Sequence, residues 1–133
     1  MTTNIESAIK NCPVELSLGL ITKKWTILLV KDMFFGKTRF KEFKEGKDIT
    51  NKILSKRLKE MEDAGLITRS ENPYNSNDVE YHLTDKGKSL NSIIYDLAMF
   101  TVDNDGFNLY YTEDEKEEIR KMFKDKLDLE SED

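Results

Sequence analysis

The fold is decided by residues 50–70, which read TNKILSKRLKEMEDAGLITRS. Thr50 is a favourable helix N-cap, and Gly65 suits the left-handed conformation that ends a helix. Between them, apolar residues at helical spacing predict a buried face of Ile53, Leu54, Leu58 and Met61. The opposite face carries Lys52, Ser55, Lys56 and Lys59. This stretch therefore predicts a helix that packs on one side and presents a basic row on the other.

Upstream of this helix, the apolar spacing predicts three further helices. We expect short helices over residues 14–20 and 38–45 and a longer one over residues 23–35. The apolar stripe of the longer helix is predicted to be Trp25, Leu28, Leu29 and Met33. Phe40 and Phe43 are expected to face inward from the short helix that follows.

Downstream of the basic helix, residues 66–70 and 79–84 predict two short strands. The turn-forming residues 71–78 between them predict a hairpin with a long loop. A helix is expected after Thr84, and a capping box at Thr112 and Glu115 starts a last helix. Its inward residues are predicted to be Ile119, Met122, Phe123 and Leu127.

This order predicts a mainly α fold with a small β-hairpin wing, a winged helix-turn-helix. The helix after the wing carries more apolar surface than one small core needs, which predicts a partner subunit. The residues of this predicted dimer interface are Leu90, Ile93, Ile94, Leu97 and Phe100. We assign residues 1–103 to the winged domain, which would dimerise through its N-terminal and long C-terminal helices. Residues 104–133 are interpreted as an appended acidic helix and tail.

The charge distribution favours a polyanionic partner for one face. The chain has 133 residues and a net charge of −5. Residues 37–59 nevertheless carry nine basic against three acidic side chains, a net charge of +6. The segment from residue 103 to 133 has five basic against twelve acidic side chains, a net charge of −7. Such asymmetry is typical of a protein that meets nucleic acid with one surface, although a solvated helix face is the alternative.

Composition argues against several other classes of protein. One Cys cannot form an intrachain disulfide, and no apolar run approaches the roughly 20 residues of a membrane span. No secretory leader is apparent, so we expect a cytoplasmic protein without membrane association. The single histidine, His82, has no Cys, His or carboxylate at metal-ligand spacing around it. We therefore expect neither an enzyme nor a metal or cofactor site.

Several motifs in this order resemble the HxlR family of winged-helix transcription regulators, which are related to the MarR group. The resemblance rests on Cys12-Pro13, Lys24-Trp25, the segment GKTRFKEF at residues 36–43, LSKRL at 54–58, EDAGLI at 62–67 and VEYHLTDKG at 79–87. It covers residues 12–100. Where the family often has a proline before Val-Glu-Tyr, this chain has Asn77-Asp78. The resemblance implies a homodimer that binds a pseudo-palindromic operator.

The basic face supplies the predicted contacts to double-stranded DNA. Lys52, Ser55, Lys56 and Lys59 would face the major groove, where lysine and serine contact base edges or phosphates. Thr50 and Asn51 would bind phosphate at the helix N-terminus. Lys37 and Arg39 are further predicted phosphate contacts. Arg69, Asn75 and Asn77 would approach the minor groove from the wing. Arg57 is open between a phosphate contact and an ion pair within its own domain.

Cys12 carries the only thiol of the chain, which oxidants and electrophiles could modify. The resemblance implies a regulator that responds to oxidants or electrophiles, in several members through a cysteine that matches Cys12. Oxidation of the thiol, a mixed disulfide or an intersubunit disulfide would alter the dimer. The alternative is that Cys12 is a small apolar residue without a sensory role. For the chain as a whole, the alternative to a DNA-binding regulator is a winged-helix protein-interaction adaptor that has lost DNA binding.

Overall fold

The computed structural model describes residues 12–129. The start of the predicted N-terminal dimerisation region (residues 1–11) and the end of the predicted acidic tail (residues 130–133) lie outside the described residues. Its elements are α1 (Pro13–Ile21), α2 (Thr26–Phe34), α3 (Phe40–Phe43), α4 (Asn51–Asp63), β1 (Ile67–Asn72), β2 (Asn75–Leu83), α5 (Asp85–Lys88), α6 (Asn91–Asp103) and α7 (Glu113–Lys126). The predicted fold class is confirmed: helices surround one antiparallel hairpin in the order of a winged helix-turn-helix.

Side chains from five elements and from the segments next to them form a single hydrophobic core. The buried members are Leu29, Val30, Met33, Phe43, Ile49, Leu54, Leu58, Met61, Leu66, Ile67, Ile94 and Leu127. They come from α2, α3, α4, the base of the wing and α6, with Ile49 from the loop before α4 and Leu127 from the end of α7. Burial of this apolar surface is the main favourable term in folding, and it fixes α4 against the rest of the domain.

The basic helix α4 forms as its sequence predicts. The Thr50 hydroxyl oxygen accepts a hydrogen bond from the backbone N–H of Ile53 at 3.2 Å, which caps the helix. Gly65 follows the helix with a φ of +79°, a conformation that favours glycine. Leu54, Leu58 and Met61 are buried, so the opposite face of α4 is turned to solvent.

The prediction for the start of α2 is wrong. Trp25 does not lie inside the helix but precedes it with a left-handed φ of 85°, and α2 begins only at Thr26. The helix therefore buries Thr26, Leu29, Val30 and Met33, which have helical spacing, and Leu28 is exposed. The buried stripe thus begins at Thr26, one residue after the predicted start at Trp25.

The wing is longer than predicted, and its loop is shorter. β1 and β2 pair from Ile67 opposite Leu83 out to Asn72 opposite Asn75, with an irregularity at Glu71 and Asn72. The turn is reduced to Pro73 and Tyr74. Polar residues can extend the ribbon because antiparallel pairing uses backbone hydrogen bonds and requires no buried side chains.

The predicted helix after the wing is interrupted. α5 ends at Lys88 and α6 begins at Asn91, with Leu90 as its N-cap residue. The capping box of the last helix is confirmed, since the hydroxyl of Thr112 and the carboxylate of Glu115 each accept a backbone N–H of the other residue. Leu127 is fully buried, whereas Met122, predicted to face inward, is 44% exposed. α7 thus joins the common core through its C-terminal end.

Candidate nucleic-acid interface

The outer face of α4 presents two lysines without acidic partners. Lys52, Ser55 and Lys56 are all exposed. Within residues 12–129, no carboxylate oxygen lies within 4.0 Å of the amino group of Lys52 or Lys56. Lys59 differs, because its amino group lies 3.2 Å from Asp63 and 3.8 Å from Glu62. The hydrogen bond to Asp63 and the charge of Glu62 raise the pKa of Lys59, and its amino group lies toward the C-terminal end of α4.

The N-terminus of α4 is already engaged within the chain. The Thr50 oxygen caps the helix, and the side-chain oxygen of Asn51 accepts a hydrogen bond from the amino group of Lys44. Their remaining polar groups are exposed. Backbone N–H groups at a helix N-terminus attract anions, so the position fits a phosphate.

A cleft of about 510 Å³ lies between α3, α4 and the wing. It brings together Ser55 of α4, Arg69 and Asn77 of the wing, and Lys41 of α3. Lys41 is not among the predicted DNA contacts, although it lies in the basic segment 37–59. It is exposed, and within the described residues no carboxylate pairs with it.

The two arginines at this cleft are held by carboxylates of the wing. The Arg39 guanidinium pairs with Asp78 and lies 3.8 Å from Glu80. The Arg69 guanidinium lies 2.8 Å from Glu71 on the same strand. A hydrogen bond to the neighbouring carboxylate is the main reason that the pKa of each arginine is raised.

Three other basic residues of the segment 37–59 form ion pairs within the chain. The Arg57 guanidinium lies 2.7 Å from Glu60, which also accepts from Lys23 at 3.1 Å. Of the two roles left open for Arg57, the structure thus shows the ion pair within the chain. Lys47 is largely buried and pairs with Asp32, and the amino group of Lys37 lies 4.0 Å from Glu45.

The wing tip contributes polar groups. The side-chain oxygen of Asn75 accepts the backbone N–H of Asn77 at 3.1 Å, and both residues are exposed. Tyr74 at the turn is almost fully exposed. Arg69 is the only lysine or arginine on the two wing strands, which also carry His82.

The predicted dimer residues fall into two groups. Ile94 is only 4% exposed and belongs to the core of its own chain, and Leu90 packs against that core. Ile93, Leu97 and Phe100 are exposed. The apolar surface of α6 that remains available to a second chain is therefore narrower than predicted.

Cys12 is the N-cap residue of α1. Its carbonyl oxygen accepts the backbone N–H of Leu16 at 3.1 Å, and its side chain makes no capping hydrogen bond. The residue is partly exposed. Cys12 thus stands, partly exposed, at the start of a helix that carries no buried residues.

Residues 12–129 contain neither a metal-binding cluster nor a membrane-spanning helix. In that part of the chain, no group of three or more His, Cys, Asp or Glu side chains could hold a metal ion. None of its helices combines the length and the apolar character needed to span a membrane.

The chain is similar to known regulators over most of its length. The HxlR-like helix-turn-helix family matches residues 20–105. The HTH-type transcriptional regulator YdzF of Bacillus subtilis is 40% identical over 91 residues, which are 67% of this chain and 84% of that protein.

Two solved structures share the fold. The redox regulator HypR in its reduced form has a TM-score of 0.65 at 34% identity, covering 69% of this chain and 92% of HypR. Quinone-bound YodB from B. subtilis has a TM-score of 0.59 at 30% identity, covering 70% of this chain and all of YodB. The chain therefore belongs to the HxlR family of helix-turn-helix transcriptional regulators.

Proposed function

We propose that this regulator works in the cytoplasm as a homodimer that binds a pseudo-palindromic DNA operator through α4. The observation that carries the proposal is the exposed row of Lys52, Ser55 and Lys56, whose two amino groups have no acidic partner in residues 12–129. A helix with such a row can enter the major groove, where lysine donates to guanine or phosphate and serine contacts either.

Phosphate contacts would surround this row. Lys41 reaches the cleft from α3, while Thr50 and Asn51 mark the N-terminus of α4. Lys37 and Lys59 would contribute once their exposed ion pairs exchange for phosphate, which costs little because such pairs are weak. Arg69, Asn75 and Asn77 would approach the minor groove beside the recognition helix. The ion pair of Arg57 makes that residue the weakest candidate in the set.

Exposed apolar side chains on the terminal helices support the dimer. On α1, Val14, Leu16 and Leu18 are exposed although the helix is mostly apolar. Leu97 and Phe100 of α6 are 52% and 61% exposed. A second copy would cover such surface, which monomeric proteins seldom leave in contact with water. Replacing Leu97 and Phe100 by Glu should convert the dimer to monomers in sedimentation measurements; a dimer that persists would place the interface elsewhere.

Cys12 is the proposed point of redox or electrophile control. The residue is partly exposed, and HypR and YodB are described as a redox regulator and as quinone-bound, respectively. A disulfide from Cys12 would have to join two subunits or capture a small thiol, because the chain has no second cysteine. Diamide should therefore alter the DNA affinity of the wild type and leave Cys12→Ser unchanged. An equal response of the two proteins would remove Cys12 as the sensor.

The function is tested by fluorescence anisotropy with reduced protein and the DNA immediately upstream of its gene. Random DNA is the competitor, and the salt concentration is varied. A preference of about a thousand-fold for the upstream DNA, with affinity that falls steeply in salt, is the expected result. Weak and equal binding to the upstream fragment and to tiled genomic fragments would favour the protein-interaction adaptor instead.

A further inference from the structure

Three contacts between the wing and the segment 38–43 help to join the wing to the helix-turn-helix. The backbone N–H of Tyr81 in β2 donates to the carbonyl oxygen of Thr38 at 2.8 Å. The rings of Phe43 and Tyr81 meet edge to face with centroids 6.0 Å apart. The third contact is the ion pair between Arg39 and Asp78, which lies nearer the wing tip than the other two.

Both partners of this ion pair are held in place by other groups. Arg39 is the N-cap residue of α3, and its backbone N–H donates to the Glu42 carboxylate at 2.9 Å. The same oxygen of Glu42 accepts the N–H of Thr38 at 3.1 Å. On the wing, the side-chain amide of Asn72 donates to Asp78 at 3.0 Å. The pair thus links the start of α3 to both strands of the hairpin.

Arg39 also has a second acidic neighbour on the wing. Glu80 lies 3.8 Å from the Arg39 guanidinium, so two carboxylates of β2 face one cation. A phosphate would have to compete with both of them for Arg39. Lys41, only two residues away, has no acidic partner in the described chain and is the better phosphate contact of α3.

We infer that Arg39 and Asp78 are positioning residues, which fix the wing relative to α4 and do not themselves contact DNA. The inference rests on the proposed DNA binding and names the device that sets the geometry of its two contact elements. Recognition helix and wing must reach neighbouring grooves at once, and a rigid joint reduces the entropy lost on binding.

The direction in which Asp78→Asn changes DNA affinity distinguishes a positioning role of Asp78 from simple competition with phosphate. Asp78→Asn makes the DNA-facing surface more positive, so a carboxylate that only competes with phosphate would bind DNA more tightly when neutralised. If Asp78 positions the wing, the same substitution weakens operator binding, by about tenfold. Glu71→Gln is the matched control: it removes the same charge from the same hairpin without breaking the Arg39 pair, and it releases Arg69, so it should bind DNA at least as tightly as the wild type. Tighter binding by Asp78→Asn overturns the inference.

Arg39 is tested by the salt dependence and by charge reversal. Arg39→Gln should weaken binding without changing the slope of log affinity against log salt, because no phosphate contact is lost. A slope reduced by about 0.9 would identify Arg39 as a phosphate contact. The double variant Arg39→Asp with Asp78→Arg restores the ion pair and should recover most of the affinity. Failure to recover it in a protein that melts like the wild type also contradicts positioning.

A measurement without DNA tests the joint independently of the proposed DNA binding. Amide hydrogen exchange at Tyr81 reports on the joint directly, since this N–H is bonded to Thr38. Exchange should accelerate in Arg39→Gln and in Asp78→Asn and return toward the wild-type rate in the reversed pair. If exchange behaves in this way and the wild type binds no DNA, the joint stands and the proposed function fails. If Tyr81 exchange is unaffected in both variants, the joint does not depend on the ion pair.

Discussion

Gly87 lies directly against the backbone of Leu66 at the exit of the wing. A Cβ at position 87 would lie 2.2 Å from the carbonyl oxygen of Leu66 and 3.1 Å from Leu83. The same carbonyl oxygen accepts the N–H of Thr84 at 3.0 Å, which joins the end of β2 to the start of β1. α5 therefore approaches the hairpin so closely that only glycine fits.

Gly87→Ala is expected to destabilise the protein by about 1–3 kcal/mol, because backbone must move to admit the methyl group. Urea unfolding measures the loss. Gly19→Ala is the control: nothing lies within 4 Å of the added atom, and alanine is the better helix former. Equal stability of Gly87→Ala and the wild type would mean that this contact is looser than the structure shows.

The ion pair between Asp32 and Lys47 is nearly excluded from water, with side chains 5% and 9% exposed. Asp32→Asn leaves the ammonium of Lys47 without its counter-charge, and removal of one partner of a buried pair costs about 3–5 kcal/mol. Chemical denaturation should show this loss. Asp63→Asn breaks an exposed pair with Lys59 and should change stability by less than about 1 kcal/mol. Similar effects of the two substitutions would contradict the burial of the first pair.

Leu127 ties the last helix to the core. Leu127→Ala deletes a fully buried side chain and should reduce the free energy of unfolding by about 2–5 kcal/mol. Met122→Ala, at an exposed position of α7, should cost much less. Urea titration measures the free energy of unfolding of both variants, and a single cooperative transition is expected. A negligible loss at Leu127 would mean that α7 can detach while the winged domain stays folded.

Lys56 should account for about one phosphate in the binding reaction. If the lysine contacts phosphate, Lys56→Ala should weaken all DNA sequences alike and reduce the salt slope by about 0.9. A loss confined to the operator, with the slope retained, would instead identify base readout. Lys121→Ala removes the same charge from the exposed surface of α7 and should leave affinity unchanged.

Acid should weaken the fold through Glu42. Hydrogen bonds from the backbone N–H groups of Thr38 and then Arg39 hold the pKa of Glu42 below its ordinary value of 4.5. The folded chain then binds fewer protons than the unfolded chain near that pH. Stability from this group is complete above about pH 4.5 and is lost as the pH falls through the lowered pKa. Glu42→Gln should therefore show a smaller acid-induced drop in melting temperature; an unchanged drop would exclude this source.

The basic helix could be predicted from sequence because its signals are local. Thr50, Gly65 and the apolar spacing between them lie within one segment, and the structure confirms each of them. The capping box at Thr112 is equally local. Burial at Ile94 and exposure at Leu28 depend on which helices pack against α6 and α2, so helical spacing alone cannot assign them.

Which cations remain available for DNA could not be predicted, because ion pairing is tertiary. Arg39 and Asp78 are far apart in sequence, and only the folded hairpin brings them together. The extended wing was missed for a related reason, since residues 72–78 are polar on both faces and show no alternation. The sequence predicts the basic face of α4, but only tertiary contacts decide which of its cations lack an acidic partner.

In the proposed complex, the length of the hairpin limits how far along the DNA the wing could reach. From Leu83 to Asn75, β2 takes eight steps of about 3.3 Å and so extends about 26 Å from the core. At about 3.4 Å per base pair, that distance corresponds to seven or eight base pairs. In the proposed two-fold dimer, the wing tips would therefore mark the outer edges of the footprint, on either side of the bases that face the two α4 helices.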